Sequence, residues 1–417
     1  MPVELEWESG AQPANGGDPQ PSPQRFNRWW RIVFVVVFLI AGIAIAIILR
    51  LAEIERWQLR TLQDAFNAEL AALRIGDLDA FLALQHQGDE IWVNQQVAYF
   101  HEVQASPHLN LIGEIIDSEI SENGDLGIIH FREVEDGIPY ERLWFYWSFE
   151  EAGWRHLPQN TGLWGEAATI AGNYVEIRHA SRDALLAEAL AQTLPGWMEL
   201  GCQVLSCAEQ PGMLVKITAD PNLTLSWHPI NPWHMRIPSP LLSRMRSDQP
   251  FSPRLQQSLA ELVSTQLFLT NPMATIESSS MDDRYFRQAL YSWLVTRFLD
   301  IKEISPLLDS VIERYGVHPI ASAVSDFGDL KLLPALRKAT QSSLAELALL
   351  DWRDYLEWKI RQYEPEFVGK IATLQVTEEK GKIRIHAWLQ PPESDSSAAE
   401  FQFEIIGDDW HMISDGP

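Results

Sequence analysis

The alternation of apolar and polar positions along the chain changes period several times, and each change marks a different kind of element. From Ile32 to Leu49 there is no alternation at all: IVFVVVFLIAGIAIAIIL is uncharged and fenced by Arg31 and Arg50. A bilayer core takes roughly 20 apolar residues at helical rise, and Trp29 and Trp30 sit where interfacial aromatics are expected. A transmembrane helix over 29–52 is therefore predicted. Residues 51–73 keep apolar residues at helical spacing, as a stalk continuing that helix would. Gly76 and Asp77 break the pattern, and short helices follow near 79–84 and 89–103.

The period then drops to two. Runs at 109–120, 126–135 and 140–149 are separated by Asn123-Gly124-Asp125, Asp136-Gly137 and Gly153, which predicts consecutive antiparallel hairpins. From 168 the periods mix: a strand at 174–179, a helix over 181–200, and short strands at 213–218, 223–227 and 234–237. Pro253 suits a first helical position and opens a helix to 267. Beyond a loop holding Asn271-Pro272 and Ser278-Ser279-Ser280, further helices are predicted at 282–298, 332–339 and 343–361. Asp282-Asp283 suits a helix start through capping and the helix dipole. Residues 393–398 are expected to form a polar hairpin loop in the closing stretch, and residues 1–28, with five prolines and no apolar period, are expected to be a disordered tail.

Shifting the chain by 256 places Tyr99 on Tyr355, Gly113 on Gly369, Ile115 on Ile371, His130 on His386, Phe145 on Phe401 and Trp154 on Trp410. Residues 342–417, a helix plus an antiparallel sheet, are thus expected to be a shortened second copy of the unit at 55–158.

Composition narrows the function. A net charge of −25 and a pI near 4.8 argue against nucleic acid, which needs basic surface to displace counterions. The apolar run is longer than the core of a cleaved signal and is followed by RLAEIERW, so an uncleaved anchor is expected. Arginines flank both sides of it; the short tail without a signal sets the N-terminus in the cytoplasm and the large portion outside. Cys202 and Cys207, with four residues between them, could close a small disulfide loop in an oxidising compartment or stay as two thiols. Two such ligands are too few for structural zinc. His228 and His234 lie six apart around Pro229 and Pro232, a spacing that suits neither a helix face nor a tight turn. No Gly-x-Ser-x-Gly elbow, Walker loop or dinucleotide fingerprint occurs.

Two resemblances give the pattern a frame. Helices followed by a long-stranded sheet closing on Gly153-Trp154-Arg155-His156-Leu157 resemble the SnoaL-like, nuclear-transport-factor-like cone superfamily over 55–158. That resemblance implies a pocket between helix and concave sheet, for which Trp92, His130, Trp144 and Tyr146 are the candidate binding residues. Over 168–341, a mixed sheet, one helix and a second helix some distance on resemble the gluzincin metallopeptidases. Members of that family carry His-Glu-x-x-His on the first helix, since residues four apart share a face and aim two imidazoles at one zinc, and a Glu ligand on the second. Here the motifs read Ala260-Glu261-Leu262-Val263-Ser264 and Gln288-Ala289-Leu290-Tyr291-Ser292-Trp293. The ligand positions become Ala260, Ser264 and Gln288, and only Glu261 stands at the general-base position. A carboxylate alone does not lower the pKa of water as a metal does, so neither metal nor cofactor is expected.

The expected molecule is an α+β single-pass membrane protein: an inactive, zincin-like domain between two cone-like units, serving protein or peptide binding or a surface scaffold. A hydrolase with a misregistered site and a small-molecule binder using the cone cavity are the alternatives.

Overall fold

The computed structural model describes residues 25–417 other than 107–108, 150–152, 159–163, 208, 271–280, 302–304, 327–329, 390–399 and 415–417. The loop at 271–280, the polar loop at 393–398 and most of the N-terminal tail lie outside the described residues. The chain forms two compact units, Met1–Leu62 and Gln63–Pro417, taken here one at a time.

Within the first unit the described residues belong to one helix, α1 (Arg25–Ile75), which begins earlier than the sequence pattern suggested. Its apolar residues over 32–49 are all exposed, and the helix is long and apolar enough to cross a membrane. Such a band has no partner in water, at about 25 cal/mol per Å² of apolar surface left wet.

The second unit is α+β. The end of α1 contributes a buried stripe of Phe66, Leu70 and Leu73. Next come α2 (Leu78–Ala83) and α3 (Glu90–Ala105), whose first turns are capped by the Asp77 and Asp89 carboxylates. A meander of β1 (Leu109–Ile120), β2 (Leu126–Glu135), β3 (Ile138–Phe149) and β4 (Gly153–Leu157) follows. Strands β1 to β3 coincide with the period-two runs to within two residues; Phe131 of β2 is buried against the helix, and a one-residue slip would turn it to the other face. Phe66 lies against Phe131 and Trp144, with ring centroids 4.9 and 5.4 Å away, and so seats the helix on the sheet.

The next strands form a mixed sheet in the order β5-β6-β7-β9-β8, from β5 (Ala167–Ala171), β6 (Val175–Ala180), β7 (Met213–Thr218), β8 (Ser226–Trp227) and β9 (His234–Pro238). Strands β6, β7 and β9 run parallel, and α4 (Ala184–Leu205) makes the crossover from β6 to β7. Cys202, in the last turn of α4, is disulfide-bonded to Cys207 just beyond it. The two-residue β10 (Met245–Arg246) leaves this sheet and pairs with Tyr140 and Glu141 of β3. Helices α5 (Pro253–Thr270), α6 (Met281–Phe298), α7 (Pro306–Tyr315) and α8 (His318–Asp326) then pack around α4.

The chain closes with α9 (Leu332–Thr340), α10 (Leu344–Ala348), α11 (Arg353–Tyr363) and a second meander of β11 (Ile371–Glu379), β12 (Lys382–Leu389), β13 (Glu400–Ile406) and β14 (Asp409–Ser414). The single helix expected over 343–361 is two. The Trp352 indole N–H donates to the Leu347 carbonyl at 2.8 Å, and the Asp351 carboxylate accepts from the Arg353 amide, so side chains supply what a continuous helix would have supplied. Helix, short helix, helix and four-stranded meander thus occur twice, the second time from α9 onward. The strand irregularity between Ile115 and Asp117 of β1 recurs between Ile371 and Thr373 of β11, at the offset of 256 read from the sequence. One core runs without interruption from Val175 to Trp410. A smaller one, with Ile128, Leu143, Phe145, Trp164, Leu241 and Met245, joins the first meander to the mixed sheet.

Candidate functional site

Strand β3 is longer than either strand on its outer edge. Its end from Phe145 to Phe149 pairs with β4, and its start, Tyr140 and Glu141, pairs with β10. Between those two ladders Arg142, Leu143 and Trp144 pair only with β2 among the described strands, and a cavity of about 550 Å³ opens there. Its walls include Trp92, Gln96 and Tyr99 from α3, Arg142 and Trp144 from β3, and His156 from β4. Pro221, Asn222, Leu242 and Ser243 of the middle segment complete the rim.

A buried carboxylate organises the wall of this cavity. Glu69 of α1 is fully buried. It accepts from His156 Nδ1 at 2.7 Å and Gln85 Nε2 at 2.8 Å on one oxygen, and from the Tyr146 hydroxyl at 2.9 Å on the other. Because a carboxylate only accepts, Nδ1 carries the imidazole proton and Nε2 is the other tautomeric position. Residues 84–86 pair along the edge of β4, with the His156 amide donating to the Leu84 carbonyl and the His86 amide to the His156 carbonyl. That short pairing is what brings the Gln85 side chain to Glu69. The His156 ring lies edge-on to Trp92 at 5.2 Å, against Trp144 at 4.8 Å and stacked on Tyr146 at 5.2 Å. Burial, followed by the Glu69 charge, pushes the Tyr146 phenol well above its ordinary value, so it remains a donor.

Arg142 donates to the Tyr99 hydroxyl at 3.0 Å with its guanidinium 4.9 Å from the centre of that ring, and lies 3.8 Å from buried Glu133. Burial lifts the Tyr99 pKa to about 12 even though Arg142 opposes it. Arg244 reaches Glu133 from the other side and stacks over Tyr140. The Trp92 indole N–H is buried and finds no acceptor among the described residues.

Of the four residues expected in a cone pocket, Trp92 and Trp144 line the cavity and Tyr146 lies behind its wall. His130 is on the opposite sheet face: it pairs across the strands with Leu143, and its Nε2 meets Glu141 at 3.0 Å. The His130 contact, with Arg132, holds the Glu141 carboxyl below its usual range against the effect of burial. Glu69, Gln85, Tyr99, Arg142 and His156 were not among the pocket residues expected from the sequence, where Tyr99 and His156 entered only through the repeat and the closing strand. A carboxylate on an otherwise apolar helical stripe was the available signal for Glu69.

In the middle segment, Ala260 and Ser264 face the buried side of α5, while Glu261 is exposed and accepts from Gln257 at 3.1 Å. Gln288 is exposed on α6 and lines a different cavity, of about 500 Å³, with Tyr285, Asp354 and Arg361. Burial raises the Asp354 carboxyl although Ser305 and Tyr285 hydrogen-bond to it. His228 and His234 meet across the turn between β8 and β9, their rings parallel and 5.1 Å apart. The pairing of β8 with β9 puts them together, a proximity that the spacing alone did not suggest. Burial, then the facing ring, depresses the His234 pKa. Among the described residues no three His, Cys, Asp or Glu side chains are grouped as a metal site would require.

Comparison with family models, with curated proteins and with solved structures gives no match to this chain.

Proposed function

We propose that this chain is a membrane-anchored binding protein, held by Ile32 to Leu49 with its large portion outside the cytoplasm, whose cone-like first layer takes a small molecule in the cavity at the β3 edge. The observation that carries the reading is Trp92, which lines the cavity beside Glu69-held His156 and whose buried indole N–H finds no acceptor among the described residues. A buried donor left without an acceptor costs about 1–3 kcal/mol, which a ligand acceptor would restore. The volume of about 550 Å³ lies within the usual range for ligand pockets. The Cys202–Cys207 disulfide supports an oxidising location. In this reading the zincin-like middle domain is not a peptidase; its Asn222, Leu242 and Ser243 form the outer rim of the ligand site.

The test uses the full chain in detergent micelles and a library of small organic molecules, read by tryptophan fluorescence and by melting temperature. Binders are expected that raise the melting temperature and lose at least about tenfold in affinity in Trp92→Phe. If none raises it, or if every binder is indifferent to Trp92→Phe, the cavity is not the site.

A protein or peptide partner at the middle domain is a second reading, favoured by the cavity that Gln288 lines with Tyr285 and Arg361. Peptide binding lost in Gln288→Ala and retained in Trp92→Phe would favour it over the first.

A further inference from the structure

The open face of the mixed sheet carries a row of positive charge. Strand register sets Thr169, Arg178, Lys216, Arg236 and Ser226 side by side across β5, β6, β7, β9 and β8. Their strand neighbours Ile177, Val215 and Met235 are fully buried in the main core, so by alternation the three cations face away from it. Strands lie about 4.8 Å apart, which makes the row of cations roughly 10 Å long. Glu176, on the same strand and face, engages Arg178 at 2.6 Å. Among the described residues neither Lys216 nor Arg236 has a carboxylate at ion-pair distance; Arg236 reaches the Ser226 hydroxyl at 3.4 Å, and its buried Nε meets no partner among those residues. The same three cations help to depress the His234 pKa, after burial and the facing His228 ring. Thr169, Arg178 and Lys216 also line a cavity of about 670 Å³ between Trp164 and Thr218. The carboxylate among its described lining residues is Asp220, which accepts from the Asn222 amide at 2.9 Å.

We infer that this row binds a small two-headed anion, a molecule whose two carboxylate or phosphate groups lie about one strand spacing apart, each seated between neighbouring cations. Like charges directly opposite one another on adjacent strands oppose pairing, so the fold bears a repulsion here that such an anion relieves. A chain of net charge −25 does not gain this row as part of a generally basic surface. The outer arginines present planar forks that match carboxylate or phosphate oxygens, and the central Lys216 is a point charge that both groups share. The Thr169 and Ser226 hydroxyls close the two ends of the row. No residue of the row lines the cavity at the β3 edge, so the two sites stand or fall separately.

The experiment is titration calorimetry on the full chain in micelles of a non-ionic detergent, with succinate against butyrate and pyrophosphate against orthophosphate. At least one two-headed probe is expected to bind at least about tenfold more tightly than its single-headed counterpart, and the tighter of the two names the anionic group. Binding should weaken as sodium chloride rises from about 0.05 to about 0.5 M, because salt screens exposed charge. Lys216→Gln and Arg236→Gln should each lower the affinity at least about tenfold, and Glu176→Gln, which frees Arg178, should raise it by up to about fivefold. Lys370→Gln, at an exposed lysine off the row, should leave it unchanged, as should Trp92→Phe at the other cavity. Without added anion, Lys216→Gln should raise the melting temperature by about 1–2 °C, since it relieves the repulsion. No binding at about 10 mM, or equal affinity within both probe pairs, overturns the inference. So does a Lys216→Gln variant that binds as before, that loses no more than Lys370→Gln, or that melts at a lower temperature.

Discussion

Glu69 occupies a position of α1 where the helical stripe of Phe66, Leu70 and Leu73 would admit a leucine. The carboxylate there accepts from His156, Gln85 and Tyr146, so removing it takes that acceptor from His156 Nδ1 and the Tyr146 hydroxyl, while Gln85 Nε2 keeps the Phe81 carbonyl. Glu69→Ala is expected to cost about 3 kcal/mol and Tyr146→Phe about 1 kcal/mol, measured by denaturant unfolding of the full chain. A loss under about 1 kcal/mol in Glu69→Ala would mean the network does not hold the wall together. The aromatic part of the site was legible because Trp92, Trp144 and Tyr146 follow helix and strand periods. The polar part was not, since Glu69, Gln85 and His156 come from three separate elements that only the β4 edge pairing brings together. Strand parity alone would have moved His130 off the cavity face, because it alternates with Ile129 and Phe131, which are buried toward the helices.

At the scale of elements, two glycines set how closely neighbours approach. Gly113 sits at a β1 irregularity with φ +61°, and an added Cβ would lie 2.0 Å from Leu70 Cδ1. Gly113→Ala meets both backbone strain and the helix, and should lower stability by about 2 kcal/mol or more. A melting temperature equal to that of the unaltered chain would refute this account. Gly201 lets α4 approach α5, since a Cβ there would meet Leu267 Cδ1 at 2.4 Å. The disulfide closes only a short loop past α4, across the left-handed Ser206, so Cys202→Ser with Cys207→Ser should cost about 2 kcal/mol by the chain-entropy account. Strand and helix positions were readable from period; the break between α10 and α11 was not, because a single indole N–H and one carboxylate replace the missing helical bonds.

Over the whole second unit, one ionic cluster ties distant parts of the sequence together. Lys359 of α11 donates to both Asp409 oxygens at 3.0 and 3.1 Å and lies 3.3 Å from Asp282 of α6. Burial alone would raise the Asp409 carboxyl, but Lys359, Lys331 and Tyr355 outweigh it and hold it below its ordinary value. The group therefore contributes stability that is present above the unfolded carboxylate value, near 3.9, and is lost as pH falls through the lower folded value. Asp409→Asn should flatten the acid side of the stability curve measured between about pH 5 and pH 2. An unchanged acid slope would remove Asp409 as its source.

The core that runs from Val175 to Trp410 has a consequence for how the protein meets a protease. A protease that nicks the chain between the mixed sheet and the last meander finds no self-sufficient piece to release. Cleavage should then lead to loss of everything this core spans together, without a stable fragment of it left behind.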